Sequence, residues 1–276
     1  MSRLDQSALL DRLTGYPLSA HCFSDYVRWI TSNVQDGWEN YDVIRVLDEG
    51  DVERLRVIES RLNQARTILG LSEKDFSRVF GFTDDLLSDD PEKVHDILAE
   101  PLFVVDLFHQ GFSSISKLPP FIRTTTDKVR NADFLAHRGP HSFAVELKTI
   151  RMENKPKPEP GRLLGNGTKP DWWGEMFRNN AITKIEDKDR RVLAQLANAR
   201  DHYKCDKTML ALYTRRLGPS TLMTKDDYVS QLEGLLHRYP EIDHMGCKDY
   251  FGEVTFFPAF SSAPNPAMQP TAVGGG

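Results

Sequence analysis

Long apolar runs are missing from this chain. No stretch approaches the roughly 18 apolar residues that a membrane-spanning helix needs, so no membrane partner is expected. The N-terminal MSRLDQSALLDRL is amphipathic and charged, unlike a signal peptide. Cysteine is scarce. Cys22, Cys205 and Cys247 are scattered without a CxxC spacing, which argues against a zinc site and a disulfide framework and fits a reducing cytoplasm. A bulk excess of positive charge is also lacking, since the net charge is −5. What is present is ordinary for a globular protein: 276 residues, 39% hydrophobic and 27% charged, enough for one large domain or two small ones.

The charge is unevenly placed. Lys117–Arg216 holds 21 Lys and Arg against 12 Asp and Glu, a local +9, and leaves −14 for the remainder. Local excesses of this kind build phosphate-binding surfaces. Inside that segment, ADFLAHRGPHSFAVELKTI (132–150) reads as two strands, Ala132–His137 and Ser142–Ile150, joined by a turn on Gly139–Pro140. A turn centred there pairs positions whose numbers add to 279, which sets Asp133 opposite Glu146 on one face. Lys148 shares the face of Glu146, and Phe143, Val145 and Leu147 share the other. Two carboxylates held together raise a pKa or recruit a cation. A hard divalent ion such as Mg²⁺ or Mn²⁺ suits them, and can activate water and neutralise a scissile phosphate.

The spacing Asp-x12-Glu-x-Lys within a hairpin resembles the PD-(D/E)xK nuclease superfamily, the restriction-endonuclease-like fold. Ala132 stands where a Pro often precedes the Asp. The resemblance covers about residues 91–215. It implies an α/β fold with a mixed sheet of four to five strands flanked by helices, and metal-dependent hydrolysis of phosphodiester bonds in DNA, endonucleolytic rather than exonucleolytic. It implies Asp133, Glu146 and Lys148 as catalytic residues. The metal ligands would be Asp133, Glu146, the Leu147 carbonyl and an acidic residue on the preceding helix, Glu100 first and Glu92 second. It also implies a polar residue, Gln195 or Lys188, on the helix after the Glu-x-Lys strand. Double-strand cutting often uses two sites, so a homodimer is a further expectation. A non-catalytic nucleic-acid- or protein-binding member of the same fold is the alternative, and a helical interaction protein with an incidental hairpin is another.

The rest of the chain is read around that hairpin. Residues 1–90 give helical stripes at Leu4–Leu13, Phe23–Val34 and Asp51–Leu69, with Gly70 as C-cap and Ser72 opening a short helix with Asp75 three residues on. LSEKDFSRVFGF slightly resembles a repressor helix-turn-helix, or is simply one of two packed helices. An acidic linker, 83–90, separates this helical accessory region from a nuclease-like domain over 91–260. That domain begins with a helix from Pro91 to about Gln110, which Pro101 should kink or split at Glu100. A strand Phe112–Leu118 follows, then a basic polar stretch before the hairpin. Residues 151–180 read as a long loop, where Lys155, Lys157, Arg162, Lys169 and Arg178 offer phosphate contacts and Trp172 and Trp173 could stack on bases. A basic helix Thr183–Tyr203, a strand Lys207–Thr214, a helix Asp226–His237 and a strand Tyr250–Phe257 complete the core. The Pro-, Ala- and Gly-rich tail, 261–276, reads as disordered. Its NPAMQPTA run is similar to translated ends of integron gene cassettes, which would suit a mobile bacterial gene used in defence.

Overall fold

The computed structural model describes residues 52–81, 91–123, 128–151, 172–215, 224–248 and 254–260. The helices expected over Leu4–Leu13 and Phe23–Val34, the linker and the tail lie outside the described residues. The described chain is an α/β protein, with a mixed six-stranded sheet between two helical layers.

Two helices come first, α1 (Val52–Ile68) and α2 (Glu73–Phe80). Ser72 caps α2: its Oγ accepts from the Asp75 N–H at 3.1 Å and donates to the Asp75 carboxylate at 2.7 Å. Phe76 and Phe80 of α2 and Leu62 and Ala65 of α1 are buried in one apolar cluster with α3 and the sheet.

Helix α3 (Pro91–His109) runs through Pro101 as one helix, so of the expected kink or split the split does not occur. An internal proline costs about 3 kcal/mol. Phe103, Val104, Val105 and Leu107 are fully buried, and each such burial is worth about 1.5–3 kcal/mol, so packing outweighs the defect. Gly111, at φ +82°, stops the helix. Phe112 N–H reaches the Leu107 carbonyl at 3.1 Å and Gly111 N–H the Phe108 carbonyl at 3.0 Å, the paired bonds of a Schellman motif.

The sheet follows, with β1 (Ser113–Lys117), β4 (Phe134–Arg138), β5 (His141–Arg151), β6 (Lys207–Arg215), β7 (His244–Lys248) and β8 (Val254–Phe257) side by side in that order. β4 is antiparallel to β1 and β5, β5–β6–β7 are parallel, and β8 closes the far edge antiparallel. Parallel neighbours need crossovers. Here these contain α4 (Trp172–Tyr203) and α5 (Lys225–Arg238). On β5, Phe143, Val145 and Leu147 pack with α1–α3, whereas Ala144 and Ile150 pack with α4 and α5.

Three expectations are corrected. Among the described residues the sheet has six strands, not four to five, because β7 (HMGCK) has no alternation or β-branched residue to announce it. The basic stretch before the hairpin contains a separate two-stranded ribbon, β2 (Phe121–Arg123) with β3 (Lys128–Arg130). Helix α4 begins at Trp172, not Thr183, so the end of the expected loop is helical; Pro170 and Asp171 could have been read as a helix-start signal.

Candidate active site

The hairpin forms in the expected register. Phe134 pairs with Val145 and Ala136 with Phe143, so the paired numbers add to 279. The ladder ends at Phe134, so the expected pairing of Asp133 with Glu146 is not part of it, and there the site opens. Asp133 N–H still donates to the Val145 carbonyl at 3.0 Å. The next donor along β5, Leu147 N–H, goes instead to Asp133 Oδ2 at 2.9 Å. The Asp133 side chain thus takes a role that a β4 carbonyl plays elsewhere, and β4 turns away from β5. Within a strand a residue's N–H and C=O face the same neighbour. The Leu147 carbonyl therefore faces the Asp133 edge, while its side chain is buried in the core.

A buried asparagine holds this departure in place. Asn131 Nδ2 donates to the Pro119 carbonyl at 2.9 Å and to Tyr203 Oη at 3.0 Å, and its Oδ1 accepts from Ala132 N–H at 3.0 Å. Its own carbonyl accepts from Gln195 Nε2 at 2.9 Å. A carbonyl can only accept, so this bond fixes the Gln195 amide with nitrogen toward Asn131 and oxygen away. Gln195 Oε1 is buried without a hydrogen-bond partner.

Five ionisable groups meet here. Glu146 is 0% exposed; Lys148 Nζ bonds to its Oε1, and its Oε2 is buried without a partner. Burial first, and then the Asp133 charge, push the Glu146 carboxyl up to about 8 against the pull of Lys148. Lys117, from β1, lies 2.6 Å from Glu100 Oε2 and 3.2 Å from Asp133 Oδ1. Burial also raises the Glu100 pKa, with Lys117 opposing. For both lysines burial works against the charged form but loses to the carboxylates, so both are held as ammonium ions above the ordinary lysine range: Lys117 by Asp133 and Glu100, Lys148 by Glu146 and Asp133.

These groups line one cavity of about 720 Å³, within the range of ligand pockets. Asp133, Glu146, Lys148, Glu100 and Gln195, all singled out from sequence, come together in it. Lys117, Arg78, Arg130, Asn131 and Arg191 line it too and were not singled out as site residues. Phe80, Leu118, Pro119 and Pro120 form an apolar wall. Lys188, Trp172 and Trp173 lie on α4, but their side chains are outside the described residues, as is that of Glu92 on α3. Lys155, Lys157, Arg162 and Lys169 are outside them altogether. Arg178 lies on α4 and is not among the cavity-lining residues.

Among the described residues, no three His, Cys, Asp or Glu side chains are already gathered as a metal-ligand group. Ammonium groups lie against the carboxylates instead. The donor set still fits a hard cation. Carboxylate oxygens have spare lone pairs beyond the bonds described, Glu146 Oε2 has no partner, and the Leu147 carbonyl faces the same edge. Among the described residues no helix is long and apolar enough to cross a membrane. No protein-family model matches the chain, and neither does any curated protein or solved structure.

Proposed function

We propose that the chain is a metal-dependent nuclease that hydrolyses phosphodiester bonds in DNA. The observation that carries this reading is Glu146 Oε2, a buried carboxylate oxygen without a partner, on a residue that lines one cavity with Asp133 and Lys148. An orphaned buried oxygen costs free energy unless a ligand satisfies it. Asp133, Glu146 and the Leu147 carbonyl would hold the ion. When bound, Mg²⁺ or Mn²⁺ supplies a Lewis acid that lowers the pKa of water and offsets phosphate charge.

The chain's own groups do the rest. Lys148, kept as an ammonium, is a donor: it orients the attacking water or stabilises charge developing on the phosphate. Gln195 Oε1 can accept only from an N–H or O–H, such as a water or a sugar hydroxyl. Arg78, Arg130 and Arg191 reach the cavity from α2, β3 and α4 and supply phosphate contacts. Water adds to phosphorus and gives up a proton to solvent, the bond to the leaving oxygen breaks, and that oxygen takes up a proton from solvent.

Nicking and exonuclease assays on single- and double-stranded DNA and on RNA, with Mg²⁺, Mn²⁺ or EDTA, test the reading. Metal-dependent cleavage is expected, falling about 10²–10³-fold in Lys148→Ala. No cleavage of any nucleic acid would overturn the enzyme; tight binding without cleavage would instead favour the non-catalytic member.

A further inference from the structure

Lys117 is the cation outside the hairpin pattern that bonds to two of the site's carboxylates. It ends β1, and its Cα is fixed by pairing with Phe134 across the β1–β4 ladder. Its ammonium has three neighbours: Glu100 Oε2 at 2.6 Å, Asp133 Oδ1 at 3.2 Å and the ring of buried Phe134 at 4.7 Å. The lysine side chain is only 17% exposed. A lysine swinging out of such a place would leave two half-buried carboxylates facing each other and would lose its contact with the ring.

In two-metal hydrolases a pair of ions about 3.5–4 Å apart shares a bridging carboxylate. Asp133 is the group here with two sides. Its Oδ2 faces β5 and the Leu147 N–H, beside Glu146, and its Oδ1 faces Lys117 and Glu100. A first ion at the Glu146 side would meet the unpartnered Oε2. The second position, between Asp133 and Glu100, holds an ammonium. We propose that Lys117 is a built-in cation that stands in for a second metal ion, so that the centre takes one divalent ion per chain. Glu100 is then the partner and orienter of Lys117, not a metal ligand. This rests on the nuclease reading, since it concerns the number of ions that reading requires.

Calorimetric titration of the full chain with Mn²⁺, without nucleic acid, tests it. Wild type is expected to bind one ion. Lys117→Met, similar in length but uncharged, should bind two, and Lys117→Arg should return to one. Cleavage rate should rise with the first power of Mn²⁺ in wild type and more steeply in Lys117→Met. Glu100→Gln should keep one ion, and is informative even if Lys117→Met does not fold. Two ions in wild type, a folded Lys117→Met that still binds one, or loss of the ion in Glu100→Gln would each overturn the proposal while leaving the nuclease reading intact. A wild type that binds no Mn²⁺ brings down both.

Discussion

Glu146 makes the metal-free protein sensitive to pH. Its carboxyl titrates at about 8 in the folded chain and near the ordinary 4.5 when unfolded. Between those values the native state keeps a proton that the unfolded state has released, so stability falls as pH rises. The slope from this one group is at most about 1.4 kcal/mol per pH unit. In EDTA, urea unfolding between about pH 5.5 and 7.5 should show a loss on the order of 2 kcal/mol that is missing in Glu146→Gln. Asn131→Ala should cost about 1–3 kcal/mol in the same assay, by stripping partners from the Pro119 carbonyl and the Ala132 N–H. Asp133, Glu146 and Lys148 could be read from sequence because one tight turn sets the register of the strands beside them, although the departure of Asp133 from the ladder depends on the distant contacts of Asn131. Lys117 and Asn131 could not. Lys117 meets Glu100 and Asp133 only once α3, β1 and β4 have packed, and a lone lysine before Pro119–Pro120 reads as a strand end.

Elements were legible where their own periodicity or caps define them. The hairpin, β1, β6, α5 and the caps at Gly70 and Ser72 belong to this class. They were illegible where tertiary burial decides, as in α3 running through Pro101 and in β7. Gly246 in β7 shows why that strand looks so little like one. The Phe256 ring of β8 lies over it, and a Cβ there would sit 2.6 Å from Cε1 of that ring. The pair is a strand contact built from a glycine and an aromatic, with no β-branched signal. Phe256 is itself buried in the core, so it has little room to yield. Gly246→Ala should therefore destabilise the protein by about 1–3 kcal/mol, read as a lower urea midpoint with an unchanged slope.

At the scale of the molecule, the total charge hides where the cationic side chains stand. A chain of net charge −5 carries Arg130 and Arg191 from its basic segment, and Arg78 from outside it, around a cavity with carboxylates on its lining. If these arginines contact phosphates, Arg78→Ala and Arg191→Ala should each weaken DNA binding across sequences and reduce the salt-dependence slope by about 1. Fluorescence anisotropy at several salt concentrations measures this, and slopes equal to wild type would place the nucleic acid elsewhere. Arg78 also brings α2 to the cavity, which its sequence had not indicated. The same shared lining bears on any attempt to trim the chain. The helices before the sheet, the sheet itself and the long helix after β5 each lend residues to the cleft, so removing any one layer takes part of its lining away; serial truncation should abolish Mn²⁺ binding in one step, not by degrees.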